Sequence, residues 1–514
     1  MKPFLTRKDV KPALLVFMGV FLVYAFLGAY ITGDMPRHND LFFGADHLRV
    51  YSELTDMAAD AGRLPVHPLF RLGAASFTVA AGDLLRDPTA AVVGAQALCG
   101  ALSVCCFYLI LVDNKVGRAM GALFTAIYGA SFSMLLFSAV PETFIFACAG
   151  LVSYWYFVSF SSKQEGPLSK TEWALLLFWG VLSAAVTVTN YVSYLIGLVT
   201  LLSLRCDRKG ACKGFCLVNI TNAGAGAALC ALQKLLWQQS PPFLTNLLQG
   251  SLGDYAGEAA YMNWQLSWEK TADWLRQTFF YPLFSGEVHL LHYYKNSQST
   301  LRRHSILFSG YGALWAKILP GVLFVLLTGC ILLQLLHGVR RSHRRENGFF
   351  FGLLGACCAN LALHYVYGYN YGYNGLEGFL YSPHYLFLTL AAGALAVDRA
   401  VRENPKVRRC IVGFLGVFAL GQAYNNLHQF FAAADLAIGA ERALYAQKAA
   451  AMLLPFGCVA CALWLAAVCA SRWQAKKRPC CGAPAPKLRP VGYSVFAYLA
   501  AALAAWVFIA VKYS

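Results

Sequence analysis

Runs of about 20 apolar residues recur along this chain, and they constrain its fold more than any other feature. A helix needs roughly 20 such residues to cross about 30 Å of hydrocarbon. About thirteen segments are candidates, the sixth and tenth of them short: residues 13–32, 89–112, 119–138, 142–161, 172–189, 191–204, 214–237, 311–336, 349–367, 385–398, 410–427, 450–471 and 492–512. With 58% hydrophobic and 13% charged residues and a mean hydropathy of +0.52, the 514-residue chain is far more apolar than a soluble domain. The expected fold class is all-α, a polytopic transmembrane helix bundle.

Charge tests the count. If the N-terminus, with Lys2, Arg7, Lys8 and Lys11, is cytoplasmic, strict alternation puts the loops around residues 113, 165, 208, 342, 403 and 480 on the same side. That side then carries most of the 42 Lys and Arg but only a minority of the 25 Asp and Glu. This is the positive-inside pattern, which one miscounted helix would scramble downstream. The net charge of +17 is therefore mainly a topology signal, with attraction to anionic lipid as a by-product. It gives no reason to invoke nucleic acid.

All 17 cysteines fall in the expected helices or cytoplasmic loops, so no disulfide framework is implied. Cys206, Cys212, Cys216 and Cys480-Cys481 lack C-x-x-C spacing and partner histidines, which argues against zinc. The first helix is too long, and lacks the small-residue site, for a cleaved signal peptide.

Two connections are long, the outer loops at about 33–88 and 238–310. They divide the chain into an N-terminal transmembrane module (1–237), a long outer loop with a juxtamembrane helix (238–310) and a C-terminal transmembrane module (311–514). The cytoplasmic loops are short and basic. They hold no G-x-x-x-x-G-K-[ST] phosphate cradle and no Asp-x-Asp pair, so chemistry is expected on the outer face. There is no defensible internal repeat, and Lys234, Lys317 and His364 lie near outer helix ends rather than at mid-helix. Both points weigh against a repeat-built transporter.

In the first outer loop, DHLRVYSELTDMAADAGR reads as an amphipathic surface helix. Asp46, Arg49, Glu53, Asp56 and Asp60 share one face, while Tyr51, Leu54 and Ala58 line another. The plain reading makes Asp46 an N-cap and the acidic stripe a solvated face. Company tells against it: Arg37, His38, Asp40, Asp46, His47 and Arg49 fall close together, and His67 follows between Pro65 and Pro68.

An outward carboxylate just after the first helix, then surface helices, then His67-Pro68-Leu69 resembles the GT-C superfamily of membrane glycosyltransferases, as in protein O-mannosyltransferases and aminoarabinose transferases. Their pattern often reads His-Pro-Pro-Leu, so one proline is missing here. Phe137-Ser138-Ala139-Val140-Pro141-Glu142-Thr143 stands where those enzymes often place a second acidic residue. Leu380-Tyr381-Ser382-Pro383-His384-Tyr385-Leu386-Phe387 is similar to their Arg-Tyr-Leu-x-Pro run, without its arginine. The resemblance implies transfer of a sugar from a polyprenyl-phosphate donor to an acceptor, with inversion. By family position Asp46 is the general base, a role that a carboxylate in hydrogen-bond reach of a hydroxyl can fill. Glu142 either assists it or anchors the next helix.

The departing lipid phosphate needs cations or donors. Lys295, Arg302, Arg303 and His304 in the second long loop offer them, as do Arg49 and Arg63, and ordinary headgroup binding is an equal reading of each. The aromatic segment 261–284 reads as a second surface helix. In HYVYGYNYGYNGLEGFLYSPH, from His364 to His384, five tyrosines alternate with small or polar residues, the mark of an extended loop. Tyr369, Tyr371, Asn370 and Asn374 there suit sugar hydroxyls or phosphate better than a plain aromatic belt does. His67 and His384 complete the expected substrate-binding set; Glu377 and His384 flank the loop.

The leading expectation is thus an integral membrane glycosyltransferase with an extracytoplasmic site. Its partners are a lipid-linked sugar, membrane lipids and an acceptor that the sequence does not identify. A transporter or flippase of a lipid-linked saccharide is the alternative, and a non-catalytic scaffold a third. No metal cofactor is indicated, although Asp40, Asp46 and Glu142 are possible oxygen ligands. The single N-x-[ST] site, Asn219, falls inside a helix, which favours a bacterial plasma membrane over endoplasmic reticulum.

Overall fold

The computed structural model describes residues 7–32, 41–59, 67–237, 266–294, 302–338, 344–366 and 377–438. In chain order its long elements begin with α1 (Arg7–Thr32), α2 (His47–Thr55), α3 (Ser76–Leu85), α4 (Pro88–Asp113), α5 (Arg118–Gly129), α6 (Phe132–Phe137), α7 (Thr143–Ser162), α8 (Lys170–Val186), α9 (Asn190–Arg205) and α10 (Arg208–Trp237). There follow α11 (Trp268–Leu275), strands β1 (Glu287–Tyr294) and β2 (Arg302–Gly310), then α12 (Leu314–Gly338), α13 (Arg344–Val366), α14 (Leu386–Val401) and α15 (Pro405–Ile438).

Among the described residues, seven helices are long and apolar enough to cross a bilayer: Lys11–Thr32, Pro88–Asp113, Thr143–Ser162, Arg208–Leu236, Leu314–Leu336, Asn347–Val366 and Pro405–Ala437. The chain is an integral membrane protein built as a helical bundle. The segments 172–189, 191–204 and 385–398 are helical, as α8, α9 and α14, but fall short of the seven in length. These have 17, 16 and 16 residues, roughly 25 Å of helix. Those expected at 450–471 and 492–512 lie outside the described residues.

One expected span is not a single helix. Residues 119–138 divide into α5 and α6 at Ala130-Ser131, where Ser131 caps the second piece by accepting from Met134 N–H at 3.4 Å. The carbonyls freed by the break are bonded from other helices. Tyr24 Oη donates to the Gly129 carbonyl at 2.7 Å and Asn426 Nδ2 to the Ala130 carbonyl at 2.8 Å. Interrupted backbone is tolerated at such depth only when protein groups satisfy it.

The helical bundle carries one piece of sheet that the sequence pattern did not show. β1 and β2 form an antiparallel hairpin within the second long loop, registering Tyr294 with Arg302, Tyr293 with Arg303 and His292 with His304. Its support is a row of amides on α15, where Gln422, Asn425, Asn426 and Gln429 recur at helical spacing. Gln422 donates to the Leu283 carbonyl at 2.6 Å and Asn425 to the Ser285 carbonyl at 2.9 Å. Asn426 donates to the Leu283 carbonyl at 2.9 Å and accepts from Ser285 N–H at 2.8 Å; Gln429 accepts from Val288 N–H at 3.2 Å. One polar stripe thus serves backbone that neither helix nor sheet completes.

Within the described part of 261–284 stands α11, followed by a π turn (Arg276–Phe280) and a helical turn (Tyr281–Leu283). It grips the end of α13: Thr271 Oγ1 and Tyr365 Oη lie 3.0 Å apart, the Lys270 ammonium sits 4.4 Å from the Tyr365 ring centre, and Trp274 meets that ring edge-on at 5.4 Å.

The bundle has two chemically different ends. At one, Asp113 pairs with Lys163, Glu172 with Arg205 at 3.0 Å, and Asp398 with Arg402 at 3.0 Å while accepting from Gly117 N–H at 3.0 Å. At the other lie the ends of α1 and α8, the starts of α4 and α7, and the described parts of the two long loops.

Candidate functional site

The site begins with a strained turn. Residues Leu41 to Phe43 run beside β2: Ile306 N–H donates to the Leu41 carbonyl at 2.7 Å, and Phe43 N–H to the Ile306 carbonyl at 3.1 Å. The two long loops are therefore stitched together through backbone. Phe43 then takes a left-handed conformation (φ 56°), followed by Gly44 (φ 75°). Such a φ is costly for a bulky residue, about 1–3 kcal/mol, and persists only where the surroundings enforce it. The fully buried Phe43 ring lies 4.6 Å from Phe308, 5.2 Å from Phe379 and 5.7 Å from Phe132. That aromatic cluster enforces the turn, and the turn delivers Asp46 to the start of α2.

The helix there is shorter than the sequence pattern suggests, ending at Thr55. Its Val50 and Leu54 join a small core with Phe70, Ala75, Val92, Ala147 and Val186. Burying each is worth about 1.5–3 kcal/mol, which fixes the helix against α4 and α7. Tyr51 Oη also lies 2.7 Å from Thr89 Oγ1.

Asp46 occupies the N-cap position, yet its side chain makes no capping bond. It turns instead to Arg49, 3.2 Å away, whose other terminal nitrogen donates to Glu53 at 2.7 Å. Glu53 is 6% exposed, so this member of the acidic stripe points inward, where Arg49 pairs with it. Glu142 approaches from the other side. Its Oε1 accepts from Asp46 N–H at 3.4 Å and its Oε2 from Thr143 N–H at 3.0 Å. It thus holds the start of α7 and faces the start of α2 at once. The preceding turn is pinned by Gln96 donating to the Val140 carbonyl at 2.7 Å and Thr32 to the Ala139 carbonyl at 3.3 Å.

Electrostatics match this geometry. Burial would lower the pKa of the Arg49 guanidinium, but the charges of Glu142, Glu53 and Asp46 outweigh it and raise it overall. The Glu53 carboxyl is raised by burial, with Arg49 opposing. Three carboxylates thus surround one guanidinium, an excess of negative charge at the bundle end.

His67 is buried and donates from Nδ1 to the Val186 carbonyl at 2.5 Å, tying the first loop to the end of α8. Arg71, which sequence reasoning passed over, is also buried; it donates to the Ala59 carbonyl at 2.6 Å and to the Met57 carbonyl. Its signal was present as a cation four residues after His67.

His384 lies in a single 3-10 turn (Ser382–His384) that Ser382 bonds to Ser133 of α6 at 2.7 Å. Phe144 meets the His384 ring edge-on at 5.7 Å and the Tyr381 ring at 5.2 Å; Tyr381 stacks on His364 at 4.5 Å. Burial, together with the charges of His364 and His67, holds the His384 pKa well below the usual imidazole range.

Asp46, Arg49 and Glu142 are therefore brought together, with His67 and His384 at the same end. Arg302, Arg303 and His304 lie on β2 rather than in a loop. Asp40, Asp60, Arg63, Lys295, Tyr369, Tyr371 and Asn374 lie outside the described residues. Among the described residues, no group of three or more His, Cys, Asp or Glu is arranged to hold a metal ion.

Compared with known protein families, with curated proteins and with solved structures, the chain matches none.

Proposed function

We propose that this protein is a GT-C-type membrane glycosyltransferase of about thirteen spans, moving a sugar from a polyprenyl-phosphate donor to an acceptor hydroxyl. The observation that carries the reading is the convergence of Asp46 and Glu142, from two separate helix starts, on Arg49 at the end of the bundle.

Three carboxylates sharing one cation leave lone pairs and negative charge for a proton to be accepted. In the proposed reaction Asp46 takes the acceptor hydroxyl proton as that oxygen forms its bond to the anomeric carbon. The bond from that carbon to the lipid phosphate breaks on the opposite face, and the electron pair leaves with the phosphate. Arg49 orients Asp46, and Glu142 fixes both the α2 and α7 starts. The phosphate is assigned to the cations of the second loop, Lys295, Arg302, Arg303 and His304, since fixed donors suit a departing anion.

The reading places this end of the bundle outside the cytoplasm of a bacterial plasma membrane, with the N-terminus inside. The distribution of Lys and Arg supports that orientation. Release of free polyprenyl phosphate from a panel of polyprenyl-phosphate sugars, by purified protein in lipid nanodiscs, tests the reaction. Turnover requiring an acceptor supports it; inert protein with every donor and acceptor mixture removes it.

A further inference from the structure

The box around His384 contains polar atoms that the fold does not use. His364 is 4% and His384 1% exposed, and neither ring nitrogen of either residue has a hydrogen-bond partner among the described residues. The buried hydroxyl of Thr143, beside Glu142 and Phe144, is likewise unpartnered. Leaving such groups unpaired costs about 1–3 kcal/mol each, so their grouping at one place points to an occupant that pairs them.

The chemistry of that occupant follows from the groups. A neutral imidazole offers one N–H donor and one nitrogen acceptor. Two of them together offer two donors and two acceptors, the complement of two hydroxyls that each donate and accept. The walls are rings: Phe144 and Tyr381 line His384, while Tyr381 and Tyr385 approach His364 at 4.5 and 5.7 Å. Rings suit the C–H faces of a saccharide and give an isolated anion nothing to pair with.

We propose that His364 and His384, boxed by Phe144 and Tyr381 beside Glu142, form a binding site for adjacent hydroxyl groups of a sugar ring. Assigning that ring to the transferred sugar rests on the transferase reading; the site itself rests on the unpartnered imidazoles. The chain brings the pair together from two sides of the tyrosine-rich segment, one at the end of α13 and one in the turn before α14.

The test is saturation-transfer NMR of the full-length protein in nanodiscs with methyl glycosides of neutral hexoses and their singly deoxygenated analogues. His364→Phe and His384→Phe keep a ring in place, and His384→Gln keeps a donor and an acceptor; each variant's melting temperature reports folding. The expected result is glycoside binding that weakens on the order of tenfold or more in folded Phe variants and is partly rescued by His384→Gln. Loss of either of two neighbouring hydroxyls should weaken it too. Absence of binding to native protein, or Phe variants that bind as native does, overturns the site and leaves these groups to water. Binding through the histidines without any donor turnover keeps the site and removes the transferase. Asp46-dependent turnover whose KM ignores both histidines does the reverse.

Discussion

The backbone N–H of Asp46 donates to the Glu142 carboxylate at 3.4 Å, joining the starts of two helices that lie 96 residues apart in sequence. A buried carboxylate that also receives Thr143 N–H serves as a cap and a clamp at once. Removing it should therefore cost more than a surface cap does. Glu142→Ala is expected to lose about 2 kcal/mol or more, roughly 1 from the cap and the rest from a less compensated Arg49. Glu142→Gln, which keeps an acceptor oxygen, should lose less. Chemical or thermal unfolding of the two variants in the same nanodisc checks the order.

Glu53 gives a pH signature. Its carboxyl is raised from its ordinary value of 4.5 because burial disfavours the charged form more than Arg49 favours it. The folded state therefore holds a proton that the unfolded state has released over the window just above 4.5. Its stabilising contribution is complete below the unfolded value and is lost as pH rises through the folded value. Glu53→Gln abolishes this slope. The stability difference, native minus variant, should fall as pH rises above 4.5; a flat or rising difference would contradict the assignment.

Phe43 carries strain and packing in opposition. Phe43→Gly relieves the left-handed backbone, worth about 1 kcal/mol or more, but removes a ring that contacts Phe132, Phe308 and Phe379. Loss of a buried Phe ring costs about 3–5 kcal/mol. The net expectation is destabilisation of roughly 2–4 kcal/mol, with activity falling further because the turn aims Asp46. Parallel melting and turnover measurements test both parts.

The amide stripe on α15 should show graded costs. Asn426→Ala leaves Ser285 N–H and the Ala130 carbonyl without that partner, and weakens the bonding at Leu283. About 3 kcal/mol is expected, against about 1 for Gln429→Ala, which releases one amide. Equal costs would mean that the stripe is not what holds the hairpin base.

The spans were legible because runs of apolar residues near 20 long have few other uses in a chain this greasy. That Asp46 and Glu142 stand at helix starts was legible, the first from the ionisable residues around it and the second from its place before an apolar run; that they meet was not. The break at Ala130-Ser131 was hidden because its partners, Tyr24 and Asn426, are more than 100 residues away in either direction. The hairpin was hidden by its setting, a loop rich in basic and aromatic residues whose strands are secured by amides of α15. The burial of Glu53 was hidden because a helical wheel shows which face a residue shares, not what covers it. His364 read as a residue near a helix end; only its ring contacts with Tyr381 and Tyr385 make it part of a site.

In the proposed transfer Asp46 removes the proton of the acceptor hydroxyl. The most direct test of this step compares native protein with folded Asp46→Asn for acceptor-dependent release of polyprenyl phosphate, with donor binding measured in parallel. Retained donor binding and a fall in kcat on the order of 10²–10⁴ are expected. Undiminished turnover in a folded Asp46→Asn would contradict that role.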